Sequence, residues 1–160
     1  MPSLDYLVAV DTGVRLVMAK YPAAQLYEVT ATASDSRYVS HPSELDHLRF
    51  VFRAGLGTAF LASTTQEIYG PIQYDPEPWL DDVVIRWPVG MDASEADELL
   101  KSQGFTAPYN SMLLRHPVYP GLDEPYYIFH LQKERFVFVG VNSKKVYTLG
   151  ISLIELGDVD

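Results

Sequence analysis

Cysteine is absent from the 160 residues, which removes disulfide staples, thiolate metal sites and cysteine nucleophiles in one step. Burial and hydrogen bonding must hold the fold. Positive charge is scarce: 12 Lys and Arg stand against 21 Asp and Glu, a formal net charge of −9. Positions 1–92 carry six basic and twelve acidic residues, and positions 93–160 carry six and nine. Neither half offers a basic face, so no nucleic-acid partner and no anionic membrane surface is expected. Long apolar runs are missing too. The N-terminal stretch MPSLDYLVAVD sets Asp5 and Asp11 around a five-residue apolar run, without the basic start and long apolar segment of a secretory signal. Nothing reaches the length of a membrane-spanning helix. A soluble, cytoplasmic protein is expected, with a secreted form whose signal has been removed as the alternative. A phosphate loop is missing as well, because AGLGTAF holds two glycines and no lysine and reads as a hairpin turn.

What is present is ordinary globular composition, 48% hydrophobic and 21% charged, enough for one domain or two small halves sharing a core. Over residues 3–20, Leu4, Leu7, Val8, Val14, Val17 and Met18 fall at helical spacing, with Ser3 as cap and Pro22 past the end. A strand is predicted over 26–33, with Leu26, Glu28 and Thr30 on one face and Tyr27, Val29 and Ala31 on the other. After a polar loop, Leu48, Phe50 and Phe52 alternate with Arg49, Val51 and Arg53, the period of a sheet with one dry face. Residues 54–57 turn the chain into a third strand over 58–69. Residues 73–90 contain YDPEPWLDD and read as a linker, with VVIRW as a strand able to pair across the two halves. Asp92 caps a second helix, Glu95 stands where a capping box needs it, and Gly104 ends the helix. A strand follows over 112–119, where Pro117 suggests an edge or a bulge. Residues 126–131 pair through 132–135 with a long strand over 136–147, and the tail supplies a last strand to Glu155.

The two halves echo each other. Phe60 answers Phe138, Ile68 answers Val146 and Tyr69 answers Tyr147, 78 residues apart, while FVFR at 50–53 matches YIFH at 127–130. The expected fold is α+β: two α-β-β-β repeats, each a helix packed on an antiparallel sheet. The first unit covers 1–72, the linker 73–90 and the second unit 91–160, and together they form one compact domain. Two such sheets can stack, or one can extend the other.

A helix followed by three antiparallel strands, the last carrying VNSKKVY, resembles the PepSY domain. The last strand of that family reads valine, Asp or Asn, two residues, Gly, Lys, valine. Val141, Asn142, Lys145 and Val146 fit, whereas Lys144 stands at the glycine position; the first copy has Ser63, Thr64, Glu67 and Ile68 in the matching places. The resemblance implies a cystatin-like helix lying across a curved sheet and a role in binding, since PepSY units occur in propeptides of metallopeptidases with a proposed inhibitory role. This chain shows no attached peptidase and no export signal.

No catalytic motif emerges, no metal pattern is present and no cofactor is expected. His41 and His47 are six residues apart across a proline, which is no metal-ligand spacing. His116, beside Arg115 and Pro117, is able to face a pocket between helix and sheet, whereas His130, which replaces Arg53 of the first copy, reads as a tolerant, half-exposed position. Eleven tyrosines and two tryptophans cluster at loops and strand ends, where amphipathic rings serve recognition. The expected function is a non-enzymatic binding protein for a protein partner, with peptidase inhibition as its named form. Trp79, Tyr74, Tyr126, His116, His130 and Lys133 are the candidate binding residues, and the turns 54–57 and 132–135 are candidate contact points. The alternatives are a small-ligand or carbohydrate-binding protein with a cystatin-like pocket, and a cofactor-free enzyme using His116 or His130. A free strand edge allows a homodimer by sheet extension.

Overall fold

Tyr6, Ala9, Val10, Val14 and Val17 recur at helical spacing, and they are side chains that α1 (Tyr6–Lys20) buries. The computed structural model describes residues 6–65, 68–118, 123–133 and 135–149; the expected Ser3 cap and the tail strand lie outside them. Gly13 belongs to the same buried stripe because a Cβ there would run into the Phe50 ring. The helix approaches the sheet closely only without a side chain at this point.

The strands before the second helix are β1 (Gln25–Thr32), β2 (His47–Ala54), β3 (Gly57–Thr65), β4 (Ile68–Tyr69), β5 (Gln73–Asp75) and β6 (Asp82–Val83). After α2 (Ala93–Ser102) come β7 (Tyr109–Pro117), β8 (Tyr126–Leu131), β9 (Arg135–Gly140) and β10 (Val146–Leu149). Among the described residues they form one ten-stranded sheet in the order β10-β9-β8-β7-β1-β2-β3-β4, with β5 on β3 and β6 on β7. The pairings are antiparallel. The protein is therefore α+β, two helices with a large antiparallel sheet. Residues 28–32 of β1 pair with residues 115–111 of β7, so the N-terminal and C-terminal strands extend one another and do not stack.

Both helices lie on the same face. Their buried residues share one core with Leu26, Val29, Phe50, Phe52, Met112, Leu114, Tyr127 and Phe129. Tyr6 of α1 meets Tyr127 of β8 edge to face at 5.8 Å, and the Tyr127 hydroxyl donates to the Met91 carbonyl at 2.8 Å. Asp92 caps α2 by accepting from the Ser94 amide at 3.2 Å, and its other oxygen accepts from the Leu7 amide of α1 at 3.2 Å. Glu95 is turned outward to Lys144, at 3.2 Å, in place of the expected capping box. Asp97 is buried on the sheet side of α2, where it accepts from the Tyr109 hydroxyl at 2.6 Å and from Lys101 Nζ at 2.9 Å. A buried carboxylate needs such partners.

Four expectations change in detail. A bulge between Leu26 and Glu28 shifts the phase of β1, so Leu26 joins Val29 and Ala31 in the core while Glu28 and Thr30 face away. The strand expected over 58–69 divides into β3 and β4, and the one over 136–147 into β9 and β10. The second division is a turn closed by Lys144 N to Gly140 O at 3.0 Å and Gly140 N to Lys145 O at 2.9 Å. Pro117 marks no outer edge: β7 lies between β1 and β8, and the proline sits at its last residue, beyond the final β1 pair, opposite Asp82 of β6. Its missing N–H interrupts no ladder with β1 there.

Residues 73–90 are a strap and not a free linker. They pair with β3 through β5 and with β7 through β6, and Ile85 bridges Leu26 of β1. Thr58 Oγ1 donates to the Glu77 carbonyl at 2.7 Å, and Trp87 Nε1 donates to Asp11 of α1 at 3.1 Å. The strand expected across the two halves is thus present in short form.

Gly13→Ala tests the closest helix–sheet approach. The added methyl should lower stability by about 1–3 kcal/mol through overpacking against Phe50, read as a lower urea midpoint at unchanged m-value.

Candidate functional site

One side-chain row crosses the sheet on the face away from the helices. Phe60 pairs with Val51, Val51 with Glu28, Glu28 with Arg115, Arg115 with Tyr126 and Tyr126 with Gly140. The row lies near one rim, where β2 turns into β3 and where β7 and β9 end. The strap crosses this rim and sets Trp79, Asp82 and Val83 against it.

At the centre of the row is a polar cluster. Arg115 Nε donates to Asp82 Oδ1 at 2.6 Å and Arg115 Nη2 to the Asp81 carbonyl at 2.8 Å, while Trp79 Nε1 donates to Asp82 Oδ2 at 2.7 Å. The Asp82 side chain has no exposed surface, so these donors hold its charge in place of water. Glu28, half-buried beside Arg115, is pushed up to about 8, first by burial and then by the Asp82 carboxyl, to which it is hydrogen-bonded; Arg115 opposes this only in part. The carboxyls and the guanidinium form a fastening that joins the strap, β1 and β7.

Toward β3 the rim opens into a groove of about 200 Å³ lined by Arg53, Leu56, Pro78, Trp79 and Leu80, among others. Gly55 takes φ +62° and makes the tight β2–β3 turn possible. That turn lifts Leu56 to 90% exposure, and Leu80 across the groove is 77% exposed. Trp79 lines the same groove, with its ring edge-on to Phe60 at 6.1 Å. Gly57 leaves no room for a Cβ, because the Tyr74 hydroxyl and the Asp75 carbonyl sit on it. Asp75, Glu77 and Asp81 are exposed around the groove, with Arg53 as the basic residue of its lining.

At the other end of the rim are two hollows of about 470 and 430 Å³ that share Asp123 and Asn142. His116 and Arg86 line the first, with Val83, Val89, Pro125 and Val141 among its walls. Tyr126, Tyr147, Glu124 and Lys145 line the second. Glu124 Oε1 accepts from the Asn142 and Ser143 amides at 2.6 and 2.8 Å, which fixes the 141–145 turn.

The candidate binding residues therefore divide. Trp79 joins the 54–57 turn in the groove, and Tyr74 stacks on Tyr21 at 5.7 Å beside it. His116 and Tyr126 line the two hollows, Tyr126 being buried against Phe138 and Tyr147 and pushed up to about 12, mainly by burial. His130 stacks on Phe136 at 4.5 Å, four residues along β8 from Tyr126 and so roughly 13 Å away. Lys133, at φ +66°, belongs to the β8–β9 turn on the opposite rim. His130 and Lys133 are not brought to the hollows. His41 caps the short turn Pro42–Glu44 by accepting from the Ser43 amide at 3.1 Å, and His47 pairs with Asp46 at 3.0 Å. Among the described residues no group of three or more His, Asp and Glu is placed to hold a metal ion, and no helix is long and apolar enough to cross a membrane.

Sequence reasoning missed Glu28, Asp82 and Arg115, which are far apart in the chain. Leu56 was included only as part of the 54–57 turn, although an apolar residue between two turn glycines was a readable signal in itself.

No family model matches the chain, and no curated protein matches it. A protein from Clostridium difficile 630, described as a candidate lipoprotein, has the same fold in its crystal structure: the TM-score is 0.62 with 13% identity, over 91% of this chain and 96% of that one. At this identity the likeness carries the fold alone.

Two outcomes follow from the cluster. Glu28 holds its proton to about pH 8 in the fold but has an ordinary value of 4.5. Its protonated form therefore stabilises the fold fully below 4.5, and this contribution is lost as pH rises toward 8. Urea midpoints of the native chain should fall across that window, and Glu28→Gln should flatten the fall; an unchanged pH slope in the variant contradicts the assignment. Trp79→Ala strips Phe60 of its cover and leaves Asp82 Oδ2 without its donor, so it should cost about 2–3 kcal/mol in a denaturant titration.

Proposed function

We propose that the chain is a non-enzymatic binding protein that contacts a protein partner through the Leu56–Trp79–Leu80 groove, with a peptidase as the partner class. The observation that carries this is the pair of highly exposed leucines flanking a tryptophan held on both sides. Covering each leucine in a partner gains roughly 1.5–3 kcal/mol, and a tryptophan already fixed by Phe60 and Asp82 loses little side-chain freedom on binding. Asp75, Glu77 and Asp81 favour a partner with an apolar pocket and a basic rim. The two hairpin turns lie on opposite rims, so contact centres on 54–57 and the strap, without 132–135.

We also infer the two α-β-β-β repeats and their PepSY-like character. Matched positions share a face: Phe50 and Tyr127 are both in the core, as are Phe52 and Phe129, while Phe60 and Phe138 both face away from the helices. β4 folds back on β3 as β10 folds back on β9. Lys144, at the family's glycine position, has φ +62°, the backbone region that favours glycine.

Residual activity of metallo-, serine, cysteine and aspartic peptidases, titrated with the purified protein, tests the reading. One class should show saturable inhibition near stoichiometry, and Leu56→Asp should weaken it by about tenfold or more at unchanged melting temperature. Flat curves for all four classes remove the peptidase; inhibition untouched by Leu56→Asp and Leu80→Asp removes the groove.

A further inference from the structure

The hollows at the β7–β8 end of the rim differ in chemistry from the leucine groove. We propose that together they form a binding site for a neutral carbohydrate. The first hollow alone has the size of a small-molecule site, which spans about 300–1,000 Å³. Its partner continues it through Asp123 and Asn142, making a groove long enough for more than one ring.

The charges of the lining cancel. Arg86 and Lys145 face Asp123 and Glu124, so the site has no net attraction for an ion, and the chain's −9 repels anions. What the lining offers is hydrogen bonding of both kinds. The carbonyl of Pro117 can only accept, so the 3.1 Å contact from His116 Nδ1 places the proton on that nitrogen. With the proton on Nδ1, Nε2 is the nitrogen left to accept, the Asp123 carboxylate of the same lining accepts as well, and the Asn142 amide and Arg86 supply donors. Neighbouring hydroxyls of a sugar ring call for this alternation of donors and acceptors on planar groups. Val89, Pro125 and Val141 give apolar wall against the C–H faces of such a ring. Tyr147, 40% exposed and set at 6.1 Å from the buried Tyr126, supplies an aromatic platform at the far end. The site is preorganised, because Glu124 clamps the turn that carries Asn142.

The test is a series of ¹H–¹⁵N NMR titrations of the full chain with glucose, galactose, mannose, N-acetylglucosamine, maltose, cellobiose and chitobiose, and with acetate and phosphate as anionic probes. At least one sugar should shift the amides of His116, Asn142, Ser143 and Tyr147 saturably. Asn142→Ala should weaken that binding by about tenfold with the melting temperature unchanged, Tyr147→Ala should weaken it by a similar factor, and Leu56→Asp should leave it intact. The proposal is overturned if no sugar moves these amides, if acetate or phosphate moves them and the sugars do not, or if Asn142→Ala binds as the native chain does.

Discussion

The antiparallel ladder between β1 and β7 is the interaction on which the rest of the structure depends. It runs over Glu28–Thr32 and Ser111–Arg115, and its core-facing pairs, Val29 with Leu114 and Ala31 with Met112, make one continuous apolar floor beneath both helices. Without it, β1 and β7 would each present an apolar strand with one unpaired edge, a template for aggregation. With it, a cysteine-free chain buries one large core beneath both helices instead of two small ones, and a larger share of its surface leaves water.

The same ladder creates the chemistry of the opposite face. Register places Glu28 directly beside Arg115, and the strap then adds Asp82 to the pair. Glu28 is buried against the Asp82 carboxyl, which takes the Arg115 hydrogen bond, so Glu28 keeps its proton to about pH 8. The strap cannot leave the rim without exposing Phe60 and breaking the bonds from Arg115 to Asp82 and to the Asp81 carbonyl. It thereby holds Trp79 and Leu80 at one end of the rim and Val83 and Arg86 at the other, so the groove and the hollows both depend on one polar fastening.

Local order was legible where one signal dominated. The alternation of Leu48, Phe50 and Phe52 against Arg49 and Arg53 placed β2 on the correct face, and Asp92 and Gly104 marked the limits of α2. Legibility failed where a backbone irregularity changed the phase: the bulge after Leu26 moves Glu28 out of the row its alternation assigned, and no residue type near it announces the shift. The splitting of the strand expected over 136–147 was hidden because Lys144 occupies a left-handed position that glycine would have flagged. Trp79 was readable as part of a contact surface, but its packing on Phe60 was not, since that contact depends on how the strap lies over the sheet. Arg86, Asp123 and Asn142 come from three separate segments, and only the folded sheet brings them to one hollow.

The measurement that tests the fused sheet most directly is a urea titration followed residue by residue by ¹H–¹⁵N NMR, comparing Phe52 and Ala59 on the β2–β3 side with Phe129 and Val137 on the β8–β9 side. One sheet joined through β1 and β7 predicts that native cross-peaks from both sides disappear at a single midpoint, in one cooperative transition. Two separate midpoints, with one side still native while the other has unfolded, would contradict it and make the ladder a mere contact between independent halves.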